Sequence, residues 1–240
     1  MTIQTNEVQS QNGESSQDKV RWLVGGTLPL VGVALIEAER LADAAMIAED
    51  IAGAVAGGVL EWGQCWAVAG PAFVYDSAGY GEAADPAPYF GGELPPVPRL
   101  TIERPADFAN EVQASGGARL LVIPASNARP QGSIYSVLLR AVAEQLNCCI
   151  LIVAGDDMPD RDLVESLRFC ARSVLRAKRD GDVGAIELGK GAPEGTPNHW
   201  TFAVRSFDVD GQPVEAIDDV MLYPLLPAKA SASTQNETLH

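Results

Sequence analysis

Four short apolar runs, at 31–36, 72–75, 119–123 and 148–154, are spaced through the chain by stretches of helical period. A strand that is apolar on both faces must be covered on both, which is the condition of a parallel strand inside a helix-flanked sheet. The intervening segments supply the cover. Leu41, Ala44, Ala45, Ala48, Ile51, Ala52 and Val55 recur at helical spacing on one face. Their small side chains allow close approach to a sheet, and Gly57-Gly58 marks the helix end. Further helices are predicted over 101–115, 133–146 and 162–169. Beyond residue 161 the pattern changes. Segment 172–178 alternates like a half-exposed strand, and 183–188 and 200–207 follow it, with turns at Asp180-Gly181-Asp182 and Gly211. The fold class this predicts is α/β, three layers deep, with a mostly parallel central sheet and antiparallel C-terminal strands.

The joint between the first apolar strand and its helix has the plan of a phosphate-binding strand–loop–helix without its chemistry. Such joints carry G-x-x-x-x-G-K-[ST]: glycines that let backbone N–H groups wrap a phosphate, a lysine, and a hydroxyl for Mg²⁺. Here the joint reads Glu37, Ala38, Glu39, Arg40, Leu41, Ala42, Asp43, Ala44 and Ala45. Glu37, Glu39 and Asp43 would each meet a polyphosphate with like charge. At ~5 Å and an effective dielectric of ~20, each encounter costs roughly 3 kcal/mol before screening. Arg40 offsets one of them. No nucleotide cofactor and no metal are expected at this joint. A second match to the phosphate-loop pattern, Gly184 to Gly191, has an apolar strand where a flexible loop is needed.

Taken in order, several stretches resemble the RecA-type ATPase core, most closely the RepA-like hexameric helicase group. They are WLVGGTLPLVGVALI, AEDIAGAVAGG with GPAFVYDSAG, ARLLVIPAS, and CARSVLRAKRDGDVGAIELGKGAPEGTPNHWTFAV. The resemblance covers roughly residues 20 to 225. It implies a RecA-like three-layer domain, but the family's reactive positions do not carry over. Its phosphate-loop lysine and Ser/Thr fall on Ala44 and Ala45, and the preceding glycine on Asp43. The aspartate that ends its third strand falls on Pro124, which brings neither carboxylate nor N–H. Its water-preparing acid falls near Gly79, and the polar end of its fourth strand at Ala154-Gly155. The resemblance therefore implies an ATPase scaffold without hydrolysis, acting as scaffold or regulator, with replication or recombination assemblies as the setting by analogy. A divergent NTPase with a non-standard site is the rival. Lys190 matches a basic residue that in such rings reaches a neighbour's nucleotide; pairing with the acidic stretch 37–43 is the expectation for it here. A solvated turn lysine is the plainer reading.

Charge bounds the partners. The 240 residues carry a formal net charge of -15, which opposes direct nucleic-acid binding because that affinity rests on Lys and Arg neutralising phosphates. A protein partner or self-association is expected instead. The candidate contact residues are Lys190, Arg129 just past the third strand, and Tyr89 and Phe90 in the Pro/Gly-rich stretch 79–98. Trp62, Trp66 and Tyr80 border that stretch, as packing under a lid or as part of an aromatic patch. Cys65, Cys148, Cys149 and Cys170 lack C-x-x-C spacing and read as buried free thiols. His199, beside Trp200, reads as packing, and Asp156, Asp157, Asp160 and Asp162 as a solvated helix start. Residues 1–18 and 228–240 read as polar tails around one domain at 19–227. No secretory signal or membrane span is evident, and a cytoplasmic setting is the expectation.

Overall fold

The strand β3 (Gly32–Ala38) is buried along all seven residues, and the rest of the molecule is arranged about it. In this computed structural model the described residues are 21–58, 61–77, 99–102, 108–125, 133–158, 161–191, 198–209 and 211–222. On one side β3 pairs in parallel with β9 (Cys149–Gly155), followed outward by β8 (Leu120–Pro124), β6 (Ala72–Ser77) and β7 (Arg99–Ile102), all parallel. On its other side lies β10 (Ser173–Asp180), also parallel, with Leu35 opposite Val174. Then come β11 (Val183–Lys190), β12 (His199–Val209) and β13 (Gln212–Leu222), each antiparallel to its neighbour. The main sheet thus has nine strands in the order β13-β12-β11-β10-β3-β9-β8-β6-β7. Parallel core and antiparallel extension are as the sequence predicts.

Alternation along β3 divides the core. Ala34, Ile36 and Ala38 enter the cluster covered by α1 (Leu41–Gly57), together with Ile47, Ile51 and Val55 of that helix. Val33 and Leu35 enter the opposite cluster, with Leu139 and Ala143 of α3 (Ser133–Leu146) and Leu163 and Leu167 of α4 (Arg161–Cys170). The predicted small-residue face of α1 is the one in contact, with Ala44, Ala48 and Ala52 fully buried. Gly58 closes the helix in the left-handed region at φ 69° and donates its N–H to the carbonyls of Ala54 and Val55.

Two elements differ from expectation. The helix predicted over 101–115 is instead β7, ending at Ile102, and the shorter α2 (Phe108–Ala114). Pro105 disfavours helical geometry at the residue before it, and Thr101-Ile102 is a β-branched pair suited to a strand. A hairpin of β4 (Glu61–Trp62) and β5 (Cys65–Trp66) has no counterpart in the sequence reading, since two-residue strands carry no period. Its turn, Gly63-Gln64, holds both residues at positive φ, 52° and 64°. The hairpin sits under the antiparallel strands. Trp62 and Trp200 lie 6.0 Å apart at 44°, and the Trp200 indole donates to the Gly63 carbonyl at 3.1 Å. Ahead of the main sheet, β1 (Trp22–Val24) and β2 (Leu28–Pro29) form a short antiparallel pair.

The helix after β3 covers one face, whereas α4, the helix after β9, lies on the other. Chain direction therefore diverges between two adjacent parallel strands. In open α/β sheets the crevice beyond the carboxyl ends of such a pair is where ligands settle.

Candidate functional site

At the carboxyl end of β3 only Glu39 and Arg40 separate strand from helix. No glycine occurs between Gly32 and Gly53, and Leu41, Ala42, Ala44 and Ala45 are strong helix formers, so the helix runs back to Leu41. The stretch 37–45 expected as a joint is therefore strand end, a two-residue connection, and the first turn of α1. Arg40, extended at φ -115° and ψ 135°, precedes the helix and offers no side-chain cap. Its guanidinium reaches forward instead, donating to both Asp43 oxygens at 2.9 and 2.6 Å.

The helix N-terminus, where a phosphate-binding fold turns free N–H groups toward its ligand, is occupied from within. Asp157, on the connection from β9 to α4, accepts the Leu41 N–H on Oδ1 at 3.1 Å. The approach is close enough to require glycine at the end of β9. A Cβ on Gly155 would run into the Leu41 backbone and the Asp157 carboxylate. Leu41 thus seats directly on the end of β9.

Behind that first turn lies a buried ion network. Arg179, near the end of β10, has a side chain only 8% exposed and donates to Asp43 Oδ1 at 3.2 Å. It also forms a two-pronged pair with Glu215 of β13 at 2.6 and 2.8 Å and bonds the Gly181 carbonyl at 2.6 Å. Burial pushes the Asp43 carboxyl up, but the hydrogen bonds from Arg40 and Arg179 outweigh it and hold it below the ordinary value. The Arg179 hydrogen bonds hold Glu215 below its ordinary value too. Arg179 is shifted further toward its charged form, first by Glu215 and then, against burial, by Asp43.

On the α4 side of the sheet, Glu37 is 8% exposed and accepts from Arg168 Nε at 2.5 Å, with Arg176 Nε 3.6 Å away. Arg168 also holds Glu165. Two of the joint's three carboxylates, Glu37 and Asp43, are therefore met by four arginines, Arg40, Arg168, Arg176 and Arg179, where the sequence reading credited Arg40 with offsetting one carboxylate. One signal was available: Leu175, Ala177 and Arg179 alternate onto the α1 face, so the arginine continues an apolar row.

The remaining candidates are dispersed. Ala44 is buried in the core, and Ala45 is half-buried beside it. Pro124 ends β8, paired with Val153. Lys190 ends β11 beside Val174, near the start of β10 and so at the other end of the sheet from the joint. Its ammonium bonds the carbonyls of Arg168 and Phe169 at 3.0 and 3.1 Å, capping the last turn of α4. Pairing with 37–43 is not what Lys190 does within the chain. Arg129, Tyr80, Tyr89, Phe90 and Gly79 lie outside the described residues. Trp62 is packing, with its indole donating to Asp50 at 2.7 Å, while Trp66 lies over Gly25 and stays 52% exposed. His199 is half-buried at the start of β12. Cys65, Cys148 and Cys149 are buried thiols, and Cys170 is half-buried. Among the described residues no group of three or more His, Cys, Asp or Glu is placed to hold a metal.

No protein-family model matches the sequence, and no curated protein matches it. Solved structures do. The chain is similar to a KaiC-like protein from the hyperthermophilic archaeon Pyrococcus horikoshii OT3. The TM-score is 0.51 at 14% identity, over 85% of this chain and 100% of that one. The fold is RecA-like. A second similar structure, the flagellar accessory protein FlaH from Methanocaldococcus jannaschii, gives a TM-score of 0.49 at 10% identity, over 84% of this chain and 91% of that one. The order β10-β3-β9-β8-β6 forms the parallel centre of this RecA-like sheet, and no helix among the described residues is long and apolar enough to cross a membrane.

Proposed function

We propose that this RecA-like protein has given up nucleotide turnover at the β3–α1 joint and works through protein contacts, as a scaffold or regulator that associates with itself or with an active relative. The observation that carries the reading is the Asp157 carboxylate on the Leu41 N–H. A carboxylate of the chain itself already sits on an N–H group that such a helix end would turn toward a phosphate. A triphosphate would have to expel Asp157, break the Arg40–Asp43 pair and open the connection at Glu39-Arg40. It would gain no lysine and no hydroxyl, because Ala44 and Ala45 stand in those places. The acidity of the chain supports a protein partner over nucleic acid.

Calorimetric titration of the full chain with ATP and ADP, with and without Mg²⁺, tests the first half. No saturable binding at millimolar nucleotide is the expected result. Micromolar, Mg²⁺-dependent binding would overturn it. Light scattering tests self-association. The single chain weighs 25.3 kDa, and a mass fixed at that value across the accessible concentration range would remove self-association from the reading.

A further inference from the structure

A cleft of about 260 Å³ opens beyond the carboxyl ends of β3 and β9, on the α4 side of the sheet and away from α1. It lies at the divergence point between those strands, the place where α/β sheets receive ligands. A volume of that order suits a compact, metabolite-sized ligand.

Its charges separate into two sets. Glu37 and Glu165 are both taken by Arg168, and Glu37 also faces Arg176, so two carboxylates and two guanidiniums form a closed, neutral group. Among the described lining residues, one charge of each sign remains. Asp156, exposed at the end of β9, and Arg161, exposed at the start of α4, both line the cleft, and neither side chain has a hydrogen-bond or ion-pair partner among the described residues, the Asp156 backbone N–H being held by the Ala38 carbonyl. Between the charged groups the lining is apolar, with Ala154, Met158 and Val164. A ligand matched to this lining is compact, carries one anionic and one cationic group, and has a short apolar body. A purely anionic ligand would leave Asp156 opposing it, and a purely cationic one would oppose Arg161.

We propose that the cleft binds a small zwitterion of the amino-acid class. Its carboxylate lies on the Arg161 guanidinium, whose flat fork matches a carboxylate. Its ammonium faces Asp156, and its side chain rests on Met158 and Val164. The half-buried Glu37–Arg168 pair forms the wall against which the ligand is oriented. This site does not depend on the nucleotide reading, since it occupies the opposite face of the sheet from α1.

The test is calorimetric titration of the full chain with each of the twenty proteinogenic amino acids, with acetate and methylammonium as single-charge controls. Saturable binding of one or a few amino acids, and of neither control, is expected. Arg161→Gln and Asp156→Asn should each weaken it by about tenfold or more, as loss of a charge-assisted partner predicts. Both side chains are exposed, and unchanged thermal midpoints show that the variants fold. The proposal is overturned if no amino acid binds, if a control binds as well, or if either variant leaves the affinity unchanged. Loss on Arg161→Gln alone identifies a simple anion site and also overturns it.

Discussion

Replacing Arg179 with methionine removes the guanidinium that ties the first turn of α1 to the last strand, while keeping most of the apolar stem in place. Breaking a buried ion pair from one side commonly costs about 3–5 kcal/mol, because the abandoned charge stays buried and alone. Here the loss is smaller, for reasons visible in the geometry. Asp43 keeps both hydrogen bonds from Arg40 and loses only the longest contact, at 3.2 Å. Glu215 is 44% exposed and regains water. What remains is a charge-assisted pair of bonds plus partial isolation of Asp43, about 2 kcal/mol. For a domain of this size that corresponds to a fall of roughly 4–8 °C in Tm. Urea unfolding should show a lower midpoint with an unchanged slope. Acid supplies a second readout. The folded protein holds the Asp43 and Glu215 carboxyls below their ordinary values, so the stability they contribute is complete above the unfolded-state pKa of about 4 and is lost as pH falls through the folded values. The gap between parent and variant should therefore narrow below about pH 4. A gap under about 0.5 kcal/mol at neutral pH, within the scatter of ordinary surface substitutions, would refute the reasoning. So would one equally wide in acid.

Two further substitutions or measurements address the joint and the core. Gly155→Ala places a methyl against the Leu41 backbone and the Asp157 carboxylate, and a loss of about 1–3 kcal/mol is expected from the forced displacement; unaltered urea stability would mean the helix is not seated on β9 as described. Burial pushes the Cys148 thiol up to about 12 and raises Cys65 and Cys149 above their ordinary values. A thiol reagent near neutral pH should therefore modify only the half-buried Cys170 quickly, and all four cysteines once urea unfolds the chain. Rapid modification of two or more in the folded protein would contradict that packing.

The parallel core was legible because its strands are buried on both faces, leaving apolar runs such as those of β3 and β9 that no other element explains as well. The face of α1 was legible for a similar reason, since its alanines and isoleucines recur at the period of the helix. The predicted helix across Thr101 and Ile102 failed because the helical pattern of 108–114 was extended back through Pro105. The long-range ion pairs were not legible as pairs. Glu37 meets Arg168 across 131 positions and Asp43 meets Arg179 across 136, and no local pattern links residues so far apart. The lost phosphate chemistry could be read directly, but the carboxylate that fills its place could not. Asp157 looked like a residue of the α4 start; only the packing of two parallel strands side by side brings it to α1.

The central strand has an awkward history in any nascent chain. Ala34 of β3 pairs with Leu151 on one flank and Ser173 on the other, so both hydrogen-bonding edges of this fully buried strand wait for polypeptide made much later. An unpaired edge of that kind is a template for wrong pairing. Vectorial synthesis therefore leaves the protein most exposed to aggregation before β9 and β10 emerge, and fragments ending short of β10 should be the ones that need a chaperone.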